Sequence, residues 1–169
     1  GCTIRVESAV GAGTTFVIDG IFDCVPAPGA APEAAPDRQA PEALAGRHVL
    51  LCEDHPLNQE IACELLRERG MIATVAEDGR AGVEAFSRAP VGFYDLVLMD
   101  IRMPVMDGYA AARAIRALPR PDAAAVPILA MTADAFSDDV SRCLAAGMDG
   151  HVAKPLDPQQ MSRTLAAAL

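Results

Sequence analysis

Five polar side chains stand at the ends of short apolar runs, and their types point to one kind of chemistry. Residues 48–53 run into Glu53 and Asp54, residues 94–99 into Asp100, residues 126–131 into Thr132, and residues 149–153 into Lys154. Three carboxylates gathered in one crevice repel one another. At about 5 Å and an effective dielectric near 20, each charged pair costs on the order of 3 kcal/mol. Such a set persists when an acid stays protonated or a cation sits among them. Hard oxygen donors, few in number and open to water, suit Mg²⁺, which binds through one or two carboxylates plus phosphate. A lysine beside them is a charge-balancing partner, a phosphate ligand, or both, and a threonine hydroxyl adds a hydrogen-bond donor. Each residue alone has a plainer role. Asp100 could cap a turn, the Glu53-Asp54 pair a helix N-terminus, and Thr132 the helix that follows it. Only convergence of the four strand ends makes the chemistry specific.

The elements that would bring them together alternate between strand and helix. Residues 48–53 read as a buried strand. Pro56 follows at a first helical position, and Leu57, Ile61 and Leu65 recur at four-residue intervals as an inward stripe until Gly70. Residues 71–76 are a second strand, and Asp78-Gly79 opens a helix carrying Val83 and Phe86 inward. The central strand ends at Asp100, and Pro104 and Asp107-Gly108 mark the loop beyond it. Residues 108–118 form a helix with Ala111, Ile115 and Leu118 inward. A fourth strand spans residues 126–131. The next helix carries Phe136, Val140 and Leu144 and ends at Gly147. A fifth strand spans 149–153, and Asp157, Pro158 and Gln160 begin a last helix that buries Met161, Leu165 and Leu169.

Five β-α units joined by right-handed crossovers predict an α/β fold. It is a doubly wound, five-stranded parallel sheet with helices on both faces. The flavodoxin-like order 2-1-3-4-5 fits this size, and its switch point lies between strands one and three. Glu53 and Asp54 then stand beside Asp100. Pro155, directly after Lys154, is a candidate cis peptide that would aim the lysine inward.

Composition sets outer bounds. The chain has 169 residues, a net charge of -9 and 51% hydrophobic residues, enough to bury a core. The acidic balance argues against nucleic acid or an anionic membrane as the main partner. Five cysteines with no CxxC spacing read as reduced, mostly buried thiols of a cytoplasmic protein, though a longer parent could be membrane-anchored. Residues 26–46 hold Pro26, Pro28, Pro32, Pro36 and Pro41 in an alanine-rich run, the composition of a semi-extended linker. Ahead of it, residues 1–25 read as two strands around a glycine-rich turn, a piece too small to be stable alone.

These residues carry two resemblances. The strings LLCEDHPLNQE, LVLMDIRMPVMDGYAA, ILAMTADA and HVAKPLD resemble the receiver domain of two-component response regulators, over the whole of residues 47–169. Gly1, Ile4, Val6, Ser8, Gly11, Gly13, Thr14 and Phe16 resemble the closing strands of a histidine-kinase ATP-binding domain. The boxes that hold ATP in that family are absent here. Together the two resemblances imply the receiver of a hybrid histidine kinase, on a chain that itself only accepts and hydrolyses phosphoryl groups.

The resemblance implies Asp100 as phosphoacceptor. It implies Mg²⁺ held directly by Asp54, Asp100 and the backbone carbonyl of Arg102, with Glu53 acting through water. Lys154 and the Thr132 hydroxyl would neutralise phosphoryl oxygens. The donor would be a phosphohistidine, on the parent's own kinase core or on a His-containing phosphotransfer domain. Thr132 would then move towards the phosphoryl group and vacate space for the ring three residues before Lys154. That ring is Tyr or Phe in most members and His151 here. An imidazole is smaller, polar and titratable near neutral pH, so coupling is expected to be weaker or pH-sensitive. An unchanged response of His151→Phe across pH 6–8 would remove that expectation. Arg102 and Asp134 stand where relatives tune hydrolysis. A pseudo-receiver, a flavin carrier and a DNA-binding regulator are the alternatives. The first is answered by the complete set of side chains, the second by the wrong loop after residue 53, and the third by the missing basic surface.

Overall fold

The computed structural model describes residues 2–9, 13–20, 44–133 and 137–169. Gly1, the turn around Gly11, Ile21-Phe22, most of the proline-rich segment, Asp134 and Phe136 lie outside the described residues. The chain divides into two units, Gly1–Asp37 and Arg38–Leu169.

In the first unit β1 (Cys2–Ala9) pairs antiparallel with β2 (Gly13–Gly20). The register sets Ile4 opposite Ile18 and Val6 opposite Phe16.

The second unit is built on a parallel sheet of β3 (His48–Cys52), β4 (Ile72–Ala76), β5 (Leu96–Asp100), β6 (Ile128–Thr132) and β7 (Gly150–Ala153). Their order is β4-β3-β5-β6-β7, which is the expected 2-1-3-4-5 counted within this unit. Every residue of β5 and β6 is buried, as befits parallel strands covered on both faces. The helices are α1 (Pro56–Arg67), α2 (Gly79–Arg88), α3 (Gly108–Arg116), α4 (Ser137–Ala145) and α5 (Pro158–Ala168). Among the described residues, no helix is long and apolar enough to cross a membrane.

Strand alternation divides the core. Val49, Leu51, Leu98 and Met131 pack with Ala62 and Leu66 of α1 and Met161 and Leu165 of α5. On the other face Leu50, Val97, Met99 and Ala130 pack with Phe86 of α2 and Ala111 and Ile115 of α3. Three helices start on aspartate caps that accept a backbone N–H: Asp78 from Ala81 (2.8 Å), Asp107 from Ala110 (2.7 Å) and Asp157 from Gln160 (2.7 Å). Beyond α1, Gly70 takes φ +72°, a left-handed turn that glycine enters without a Cβ clash.

Three sequence expectations about inward faces need correction. Leu57 and Ile61 are 57% and 43% exposed, and α1 buries Ala62 and Leu66 instead. Of that stripe only Leu65 packs, half-buried, against the core, and the inward face runs through the residues one position on, Ala62 and Leu66. In α4 it is Cys143, with Ala146 just beyond, that is buried, while Leu144 is exposed. Leu169 is more than a third exposed because α5 ends at Ala168, beyond the edge of the core.

Candidate functional site

The parallel register carries four strand ends to one rim of the sheet. β3 pairs with both β4 and β5, β5 with β6, and Thr132 stands opposite Ala153, the residue before Lys154. Glu53, Asp54 and Asp100 each offer an oxygen, and these oxygens lie within 4.8 Å of one another. Glu53 and Asp100 are buried, while Asp54 is exposed. The Lys154 ammonium bridges the buried pair, donating to Glu53 Oε2 at 2.6 Å and to Asp100 Oδ2 at 2.8 Å. Burial by itself would lower the lysine's proton affinity. The hydrogen bonds to Asp100 and Glu53 outweigh it and hold the ammonium above the ordinary lysine value.

Three negative charges against one positive leave about two in excess, so this is an oxygen-lined site with the charge of one divalent cation to spare. The donor set fits Mg²⁺: all-oxygen, few ligands, one of them open to water. The Lys154–Pro155 peptide is cis.

Glu53 is held from two further sides. Asn58, in the first turn of α1, donates its amide to Glu53 Oε1 at 2.8 Å, and Gln59 donates to the Glu53 backbone carbonyl at 2.7 Å. The α1 N-cap is His55, whose side chain makes no capping bond, so neither acid of the Glu53-Asp54 pair serves as that helix's cap.

The loop after Asp100 is pinned on both sides. Arg102 N–H donates to Asp100 Oδ1 at 3.2 Å, and Gly108 N–H donates to the Ile101 carbonyl at 3.0 Å. A Cβ on Gly108 would collide with the carbonyl oxygen of Asp100 itself. Val105 takes φ +64° in a three-residue turn closed by Met106 N–H on the Pro104 carbonyl (2.6 Å), a strained conformation for a β-branched residue. Between this loop and β6 opens a cavity of about 800 Å³, lined by Asp100, Arg102, Asp107, Tyr109, Thr132, Ala133, Arg142 and Lys154 among others. Arg142 lies 4.8 Å over the Tyr109 ring, forming the cavity's outer wall.

The structure therefore gathers Glu53, Asp54, Asp100 and Lys154, with Thr132 and Arg102 on the cavity wall. His151 is half-buried on β7 opposite Ala130, three residues before Lys154. Asn58, Gln59, Tyr109 and Arg142 escaped the sequence reading. Asn58 carried a usable signal, an amide one helical turn beyond an acidic pair. Tyr109 and Arg142 carried none, since their contact depends on how α3 and α4 pack.

Comparisons with known proteins agree with this geometry. Residues 49–166 match the response regulator receiver domain family. Hybrid signal transduction histidine kinase I of Dictyostelium discoideum is 37% identical over 113 residues, covering 66% of this chain and 6% of its own length. Peroxide stress-activated histidine kinase mak1 of Schizosaccharomyces pombe is 38% identical over 128 residues, covering 75% of this chain and 8% of its own length. The chain thus spans only a small fraction of the curated relatives it matches. Among solved structures, the receiver domain of a Pseudomonas aeruginosa sensor histidine kinase has a TM-score of 0.66 at 41% identity. That match covers 73% of this chain and 98% of the other, which holds a magnesium ion in its active site cleft. The receiver of yeast Ssk1, solved with the histidine phosphotransfer protein Ypd1, has a TM-score of 0.63 at 26% identity, covering 74% and 93%. With fold, site and sequence in agreement, this chain belongs to the response regulator receiver domain family.

Proposed function

We propose that residues 47–169 form the receiver of a hybrid histidine kinase and accept a phosphoryl group from a phosphohistidine onto Asp100. The observation that carries this reading is the Lys154 ammonium shared between buried Glu53 and Asp100, beside an exposed Asp54 and an open cavity. Residues 1–25 would be the closing strands of the kinase's ATP-binding domain and residues 26–46 its linker to the receiver. The relatives' names as histidine kinases and the paired β1 and β2 support that assignment.

The Asp100 carboxylate attacks phosphorus in line with the departing imidazole nitrogen. The P–N bond breaks as the new P–O bond forms, and the imidazole leaves with the electron pair. Little covalent help is needed beyond positioning and charge neutralisation. Lys154 is already within hydrogen-bond distance of the nucleophile and neutralises developing charge, and Thr132 presents a hydroxyl from the next strand. Asp54, Asp100 and the Arg102 carbonyl would hold Mg²⁺, with Glu53 acting through water; when bound, the ion adds two positive charges at the equatorial oxygens. Thr132 and His151 would form the switch that reads the phosphoryl group.

Leu57 and Ile61, exposed on α1 beside this rim, offer an apolar surface for the donor protein. The yeast receiver solved with its phosphotransfer protein supports a partner of that kind.

Radiolabelled acetyl phosphate with Mg²⁺ tests the chemistry. Label should enter the chain and be absent from Asp100→Asn; equal labelling of the variant would end the phosphoacceptor reading. The doubly substituted Leu57→Asp/Ile61→Asp chain should take label from a phosphorylated donor protein about tenfold more slowly. Acetyl phosphate, which needs no docking, supplies the reference rate.

A further inference from the structure

Glu53 makes more contacts than a simple charge partner would. It is 1% exposed, and its two carboxylate oxygens are committed in opposite directions. Oε2 accepts from the Lys154 ammonium (2.6 Å), while Oε1 accepts from the Asn58 amide (2.8 Å) and, at 3.4 Å, from the His55 backbone N–H. Asn58 lies at the third residue of α1, where a side chain normally reaches back to its own helix's first N–H groups. Here it reaches past them to a carboxylate on the strand end.

We propose that Asn58 is a positioning residue for the phosphoacceptor cleft. Its amide fixes the rotation of the Glu53 carboxylate, and through it sets both the resting place of Lys154 and the outer boundary of the Mg²⁺ site. The inference rests on the Mg²⁺ reading given above. A carboxylate free to rotate would present either oxygen to Lys154, and the ammonium would lose its fixed bridge to Asp100 Oδ2 (2.8 Å). Held by Asn58, Glu53 keeps both oxygens occupied and leaves direct coordination to Asp54 and Asp100. Groups that orient a ligand set from outside commonly change metal affinity by about 10–100-fold when removed.

The test is a MgCl₂ titration of the full chain followed by amide NMR shifts. Each variant's thermal midpoint is measured without Mg²⁺. Asn58→Ala and Asn58→Leu, the second of nearly unchanged size, should each raise the Mg²⁺ Kd about tenfold, with the midpoint showing both variants folded at the titration temperature. In a Glu53→Ala background Asn58→Ala should shift the Kd by less than about twofold, because the group it positions is gone. A Kd within about twofold of wild type in both single variants, or effects that multiply in the double variant, would overturn the proposal. A wild-type chain with no saturable Mg²⁺ response would overturn the Mg²⁺ reading along with it. A wild-type chain that binds normally beside unaffected Asn58 variants would overturn only the role of Asn58.

Discussion

The two ends of the sheet use cations in opposite ways. At the carboxyl ends of the strands, one lysine is shared by two buried acids beside a third, and negative charge is left over. At the amino ends two arginines are spent on backbone carbonyls and aspartates. Arg116 donates to the carbonyls of Gly147 (2.8 Å), Ala123 (2.8 Å) and Val126 (2.7 Å) and to Asp149 (2.7 Å). Arg120 lies 4.7 Å over the Phe86 ring, donates to the carbonyls of Phe86, Ala89 and Pro90 near the end of α2, and forks onto Asp122. Each arginine thereby donates to carbonyls at helix ends and in loops. One end is electrostatically closed and holds elements together. The other is left open for a cation and a phosphoryl group to complete. Chemistry is to be sought where the charges do not balance.

The largest test of this contrast is at the closed end. Arg116→Ala takes the side-chain donor from three carbonyls, and should cost about 2–3 kcal/mol in urea unfolding. Phosphoryl uptake per folded molecule should stay at the wild-type level, and a selective loss of uptake would show that the two ends are not separate in function.

At the open end the sign reverses. Mg²⁺ at about ten times its Kd should stabilise the wild-type chain by about 1.4 kcal/mol. Asp54→Asn should abolish that gain while leaving the Mg²⁺-free midpoint equal or higher, because it relieves repulsion among the acids. A lower Mg²⁺-free midpoint would mean that Asp54 is structural.

The smallest effect is in acid. The Arg120 guanidinium, with the Gly92 N–H, holds the Asp122 carboxyl down at about 2. The folded state therefore binds this proton less readily than the unfolded chain. The pair's stabilisation is fully present above about pH 4 and is lost as pH falls towards 2. Asp122 is close to solvent, so its contribution is screened to below about 1 kcal/mol. Asp122→Asn should flatten the stability profile between pH 4 and 2 and leave it unchanged in shape near neutrality. An unaltered acid limb would assign that slope to other carboxylates.

How much could be read in advance follows from what each feature depends on. The sheet order and the gathering of Glu53, Asp54, Asp100, Thr132 and Lys154 were legible, because apolar runs ending in polar residues report strand ends directly and crossover handedness does the rest. Helix rotation was not. Leu57 and Ile61 look like core by size and spacing, yet α1 turns them outward and buries Ala62 and Leu66. A hydrophobicity pattern cannot separate a buried face from an exposed apolar one a residue away, since both carry apolar side chains. The arginine contacts were equally hidden. Arg116 and Arg120 sit in a charged stretch of the sequence, and their partners are backbone carbonyls, which carry no residue signature.

Gly108 leaves no room between the start of α3 and the main chain of Asp100, for even one carbon there would strike the Asp100 carbonyl oxygen. Backbone touching backbone has almost no compliance. A displacement of the Asp100 main chain would therefore reach α3 as a push on a rigid lever. The long arm of that lever ends at Arg116, tied by hydrogen bonds to the Gly147 carbonyl just past α4 and to the loop before β6. The same tight joint that fixes Asp100 would give movement at the cleft a short mechanical route to the far end of the fold.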